Sequence, residues 1–187
     1  MEITDATIPG CKVITSTPVF DERGFFVRTM TADEFASAGI PIHAFVQHNQ
    51  SRSARGTVRG IHFRTDGEGR LVRCARGAMF DVVVDLRPDS PAFGRWEAFV
   101  LDDVAHRQLY IPPGCGHAFQ AISDLVDTCY QHTLFYDAAA QGYVRWNDPT
   151  IGIAWPEPVR LVSARDDAAP LLRDTVIDLR RWFGGLR

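Results

Sequence analysis

Hydrophobic positions along this chain fall in short runs rich in Val, Ile, Phe, Tyr and Thr, and Gly, Pro, Asp or Asn interrupts them at short intervals. That rhythm predicts an all-β sandwich or barrel. Strands are expected over residues 24–29, 44–49, 58–64, 71–75, 78–86, 96–101, 108–111, 118–122 and 127–135. Turns are expected at Arg76-Gly77, Pro88-Asp89, Asp102-Asp103 and Asn147-Asp148-Pro149. Two helices stand out from this background. Thr31 followed by Glu34 reads as a capping box and Gly39 with Pro41 as the stop, so a short helix is expected over residues 32–38. Asp174 reads as the cap of a second helix that runs through Val176, Ile177, Leu179 and Trp182 toward Gly184. Both are expected to pack on the outside of the β structure.

With 187 residues, 45% of them hydrophobic, the chain can bury a core without disulfides, and residues 1–187 are expected to form a single domain. There is no internal repeat, low-complexity tract or linker. No stretch has the length of a membrane span and the first residues do not read as a leader, so a soluble protein of the cytoplasm is expected, with no membrane partner. Cys11, Cys74, Cys115 and Cys129 lack any C-x-x-C spacing and are expected to be reduced, mostly buried thiols. A formal charge of -3, with no basic stripe, argues against nucleic acid as a partner. Lys12 is the only lysine, so any other fixed cation that a reaction requires must be a guanidinium.

The run Pro112-Pro113-Gly114-Cys115-Gly116-His117 fits the P-x-G-x-x-H core of the second cupin motif and points to a jelly roll. In metal-binding cupins an H-x-H pair and a carboxylate complete the ligand set. Here the corresponding strand reads Gly60-Ile61-His62-Phe63-Arg64, and a guanidinium at the second histidine position repels a cation. No metal and no other cofactor is expected. His62 and His117 then remain as two interior histidines, each of which is either a satisfied core residue or part of a site. Gly60 inside a strand suggests a bulge, and a bulge would bring Arg59 and His62 to one face, which strict alternation forbids.

Several separated blocks together resemble the dTDP-4-dehydrorhamnose 3,5-epimerases, from about Pro18 to about Leu172. They are Asp21-Glu22-Arg23-Gly24-Phe25-Phe26, Phe45-Val46-Gln47 with Asn49 and Ser51-Arg52-Ser53, and Val58 to Phe63. Phe80 to Arg87, Ser90-Pro91, Phe93-Gly94-Arg95-Trp96 and Ile111 to Phe119 continue the match. Trp146-Asn147-Asp148-Pro149 with Gly152-Ile153, Ser163-Ala164-Arg165-Asp166 and Ala169-Pro170-Leu171-Leu172 complete it. The resemblance implies a cupin-like jelly-roll barrel and inversion at C3, C5 or both of a nucleotide-linked 4-keto-6-deoxy sugar through an enolate. It implies His62 as base, held by Asp166, Tyr130 as acid on the other ring face, and His117 against the sugar. It further implies a homodimer in which Arg23 reaches the partner's nucleotide, and Arg59 near the pyrophosphate. Phe135 and Tyr136 would lie beside the substrate, with Gln47, Asn49, Gln141 and Arg165 among the binding positions.

The chemistry is coherent on its own terms, since proton removal beside a ketone needs a base and a fixed cation or donor on the enolate oxygen. His62, Asp166, Tyr130 and Arg70 can supply these parts. Taken singly, Tyr130 reads as core, Asp166 as a solvated loop carboxylate, and Arg23 and Arg59 as surface charges. The departures from the family fall on residues expected at the ligand: Arg70 stands for a usual lysine, Arg28 for a glutamate, His48 for an aspartate, Gln50 for a histidine and Gln141 for an acidic residue. Two alternatives therefore stay open: an epimerase of one carbon or of a CDP- or GDP-linked sugar, and a cupin that isomerises or merely binds a sugar.

Overall fold

In the computed structural model, which describes residues 1–186, the regular elements follow one another in short steps. They are β1 (Glu2–Asp5), β2 (Lys12–Thr15), β3 (Val19–Asp21), β4 (Gly24–Phe26), α1 (Ala32–Ser37), β5 (Gln47–Ala54), β6 (Val58–Arg64) and β7 (Arg70–Arg76). Then come β8 (Ala78–Asp85), β9 (Trp96–Asp102), β10 (Arg107–Ile111), β11 (Cys115–Ala121), β12 (Leu125–His132), β13 (Gln141–Tyr143), α2 (Ala164–Asp167) and α3 (Leu172–Phe183). One antiparallel sheet has the order β1-β2-β10-β7-β12-β5 and a second the order β13-β6-β11-β8-β9, while β3 and β4 form a separate hairpin. From β5 onward the chain changes sheet at every step except the β8–β9 hairpin. This is the expected all-β jelly-roll arrangement, made of two facing sheets.

Side-chain alternation explains the layers. On β8, Met79 and Val83 point between the sheets and pack with Val72, Leu109, Phe119 and Val126 from both of them. Val82 and Val84 point the other way and lie under Leu172, Leu179 and Phe183 of α3. A strand covered on both faces is apolar throughout, and each fully buried valine contributes about 1.5 to 3 kcal/mol. On the outer face of the other sheet, Ile14, Leu71 and Tyr110 are covered by Phe35 of α1 and by Ile40. Both helices thus sit outside the sheets, as expected.

Nine of the thirteen described strands form where the pattern put them, whereas β1, β2, β3 and β13 were not expected, and several bounds differ. The expected strand at 44–49 starts only at Gln47, because Ile42–Ala44 form a 3-10 turn, and it runs on to Ala54. The strand expected to reach residue 135 stops at His132, where its partner β5 begins. Thr31 is the N-cap of α1, but its hydroxyl donates to the Glu34 carboxylate and makes no backbone cap bond. Asp174 is not the cap of α3: the helix begins at Leu172, whose N–H donates to Asp148 Oδ2 at 2.7 Å. The cap is supplied by a distant turn that local pattern cannot reveal. Asp166, which taken singly reads as a solvated loop carboxylate and by the family resemblance as the partner of His62, lies buried in α2.

The bulge expected at Gly60 is present. Across β11 and β6, His117 faces His62 but Phe119 faces Arg59, so one extra residue is inserted in β6. Arg59 and His62 thereby reach the same cavity. Gly60 has φ +134°, and a Cβ there would lie 2.3 Å from the Cβ of Ala118. Gly60→Ala is expected to cost about 2 to 5 kcal/mol, from the left-handed backbone and from overpacking. A urea midpoint equal to that of the wild type would show that the strand re-forms without the close approach.

Candidate active site

The inward faces of the two sheets change character toward one end. β7 passes from Cys74 and Val72 in the core to Arg70, and β12 passes from Val126 to Tyr130 and His132. β11 passes from Ala121 and Phe119 to His117, while β6 adds Arg59 and His62 and β5 adds Gln47 and Asn49. These side chains line a cavity of ≈ 290 Å³. Past Arg59, His62, Tyr136 and Gln141 it opens into a groove of ≈ 680 Å³, along which Arg165 adds further positive charge, while Arg52 is paired with Asp127 at 2.7 Å.

His62 is held from behind. Its Nε2 lies 2.7 Å from Oδ1 of Asp166, and the other oxygen of that carboxylate accepts the Gly60 N–H at 3.3 Å. Asp166 is positioned by the Ser163 hydroxyl, which caps α2 by accepting the Asp166 N–H. Burial pushes the Asp166 carboxyl up, but the hydrogen bond and charge of His62, with the Gly60 and Ser163 bonds, outweigh it and leave the group below its ordinary value. An ionised carboxylate only accepts, so the Nε2 proton is assigned to this bond and Nδ1 keeps the lone pair. The ring of Tyr143 meets His62 edge-on, with centroids 5.3 Å apart. Arg165 donates to the Tyr143 hydroxyl at 3.0 Å and lies over its ring.

A second histidine–carboxylate pair lies deeper. His117 Nε2 is 2.7 Å from Oδ2 of Asp81, a fully buried residue whose carboxyl is pushed up by burial. The Tyr130 ring meets His117 nearly at right angles, with centroids 6.0 Å apart. Burial pushes the Tyr130 phenol up to about 12, so it keeps its proton near neutral pH. Arg70 enters the same cavity, with its Nε 3.0 Å from Glu68.

His62, Tyr130, Arg70, His117, Gln47, Asn49, Arg59, Tyr136 and Gln141 are therefore brought together, with Asp166 and Arg165 on the groove. Arg23 and Phe135 are not. Arg23 stands exposed on the β3–β4 turn, paired with Asp21, and the Phe135 side chain is exposed while its carbonyl accepts from Arg64. Of the departures expected at the ligand, Arg70, Gln50 and Gln141 line the cavity, whereas His48 and Arg28 do not. Alternation along β5 turns His48 away from Gln47 and Asn49. Glu68, His132, Asp81 and Tyr143 escaped the sequence reading. His132 follows Tyr130 by two positions and so shares its face, and Asp81 is a lone carboxylate inside the run Phe80–Val84, signals that alternation makes usable in retrospect.

A jelly roll with a histidine held by a carboxylate, a protonated tyrosine and a buried guanidinium around one cavity has the groups that acid–base chemistry on a small polar substrate requires. The chain belongs to the dTDP-4-dehydrorhamnose 3,5-epimerase family, an epimerase family and hence one of isomerases, whose family model matches residues 5–174. It is 38% identical to the dTDP-4-dehydrorhamnose 3,5-epimerase of Salmonella typhimurium, over 95% of this chain and 98% of that one. It is 44% identical to the dTDP-4-dehydrorhamnose 3-epimerase of Streptomyces niveus, over 93% and 85% of the two chains. The crystal structure of NovW, a 4-keto-6-deoxy sugar epimerase from the novobiocin biosynthetic gene cluster of Streptomyces spheroides, superposes with a TM-score of 0.92 at 42% identity, covering 95% of this chain and 90% of that one.

Proposed function

We propose that the protein inverts C3, C5 or both of a dTDP-linked 4-keto-6-deoxyhexose, acting as one domain and as a homodimer in the cytoplasm. The observation that carries this reading is the presence of a base with a free lone pair and a protonated phenol on the walls of one cavity that also holds a guanidinium. His62 Nδ1 takes the proton from the carbon beside the ketone, and the bonding pair moves onto the C4 oxygen, where Arg70 stabilises the charge. Tyr130 returns a proton to that carbon from the opposite face, and the imidazolium and phenolate then reset through solvent. Asp166 orients His62 and stabilises its charged form. Arg59 and Arg165 give the groove the charge that a nucleoside diphosphate requires. The 3-epimerase relative favours a second reading, inversion at C3 alone.

The division of labour is tested with solvent exchange in deuterated water. His62→Ala should abolish deuterium entry at C3 and C5, and Tyr130→Phe should still exchange but invert poorly. Arg70→Ala should lose roughly 2 to 4 kcal/mol of transition-state stabilisation, while Arg70→Lys retains measurable activity. Exchange by His62→Ala at the wild-type rate would remove His62 as the base.

No metal takes part in this proposal. Arg64 fills the position of the missing motif histidine, and among the described residues no group of three His, Cys, Asp or Glu side chains converges. Activity should survive chelation. Complete loss, with recovery on adding zinc, iron or manganese, would overturn the metal-free reading.

The dimer is supported by the β3–β4 hairpin, where Val19, Phe20, Phe25 and Phe26 are 54% to 73% exposed around Arg23. So many large apolar side chains on a small projection call for a cover, and a second copy of the chain supplies one. Arg23 would then complete the partner's groove. Mixing Arg23→Ala and His62→Ala chains should restore part of the activity in heterodimers, since each retains what the other lacks. Verified heterodimers without any recovery would rule out shared sites.

The cytoplasmic assignment is supported by four free cysteines, three of them buried. No described helix is long and apolar enough to cross a membrane.

A further inference from the structure

One buried carboxylate in the cavity wall has no part in the chemistry above. Glu68, between β6 and β7, has a side chain only 2% exposed, and three basic side chains converge on it. Arg70 Nε is 3.0 Å from Oε1, His132 Nδ1 is 3.1 Å from the same oxygen, and Arg64 Nη1 is 3.4 Å from Oε2. Burial pushes this carboxyl up, but the His132 hydrogen bond and the charges of Arg70, His132 and Arg64 outweigh it, so it lies below its ordinary value. Glu68 is therefore ionised at neutral pH.

Neutralising Arg64 does not by itself call for this carboxylate, because Arg64 also pairs with Asp66 and donates to the Phe135 carbonyl. What Glu68 adds is orientation. A guanidinium is a planar fork, and an ion pair at its Nε keeps that edge toward Glu68 and the terminal nitrogens turned away from it. No hydrogen bond among the described residues uses Nη1 or Nη2 of Arg70, so that edge is free to meet a ligand in the cavity. The same carboxylate oxygen fixes His132, whose ring stacks on Tyr130 with centroids 6.0 Å apart and whose Nε2 is 3.3 Å from Asn49 Nδ2. Arg70 and His132 are direct cross-strand partners on β7 and β12, which brings both within reach of one carboxylate.

We propose, resting on the epimerase reading, that Glu68 is a positioning residue: it holds Arg70 by Nε so that the terminal nitrogens meet the substrate's C4 oxygen, and through His132 it fixes the ring of Tyr130. The device is specific to arginine. A lysine amine has no second nitrogen by which it can be held while its charge faces the substrate.

The test measures kcat and KM for deuterium incorporation into dTDP-4-keto-6-deoxyglucose by the wild type, Glu68→Gln, Arg70→Lys and the double variant, with thermal melts of each. Glu68→Gln should lower kcat by about tenfold or more with KM within about threefold, because the interaction it supports strengthens in the transition state. In the Arg70→Lys background the same change should cost less than about twofold, since the two positions act as one unit. An equal factor in both backgrounds would overturn the proposal, as would a lowered melting temperature with unchanged kcat. Should Glu68→Gln fail to fold, Glu68→Asp keeps the charge one methylene short of Nε, and a wild-type kcat there is equally fatal. A wild-type protein that incorporates no deuterium refutes the epimerase reading itself, whereas normal wild-type exchange with additive variants refutes only the role of Glu68.

Discussion

Charges that turn into the space between two β-sheets must be paired there, and this constraint shapes the whole functional end of the molecule. A lone buried ion in that position costs several kcal/mol, so the buried cations and imidazoles are met by carboxylates, while the exposed Arg59 bonds to Ser53 Oγ and the Arg52 carbonyl. His62 has Asp166, His117 has Asp81, and Arg70, Arg64 and His132 share Glu68. The pairing holds each ring or guanidinium in one orientation and leaves its other side toward the cavity. A site assembled in this way is preorganised before any substrate enters.

The partners come from distant parts of the chain because the strands keep changing sheets. Asp166 sits on α2, which is placed by Ser163 and by the parallel bridge between Thr57 and Leu161. Asp81 sits on β8 and is matched to His117 by the β8–β11 register. The bulge at Gly60 then corrects the one strand in which strict alternation would have divided the site. Without it, Arg59 and His62 would lie on opposite faces of β6 and would not share one cavity.

The departures from the family are unequal in consequence. Arg70 has a buried carboxylate at its Nε and a histidine across the strand pair. Gln50 and Gln141 are neutral residues that line the cavity. His48 lies on the other face of β5, and Arg28 lies beside Glu34 and Phe26, outside this chain's cavity.

The sequence by itself determined the all-β class, most strand positions, the two outer helices, the family and the histidine, tyrosine and arginine that meet in the cavity. Those readings depend on short-range periodicity and on blocks of fixed spacing, both of which survive in a linear string. It also signalled the bulge at Gly60, because glycine within a strand has few other uses. The partner of His62 was legible through the family resemblance, but only the tertiary structure decided which other carboxylates serve which groups: Glu68 and Asp81 became site residues, and Asp148 became the cap of a helix far along the chain. A carboxylate's role is set by what surrounds it, through burial and through charges a few ångströms away, and those neighbours are supplied by strand order and register that no local window of sequence contains.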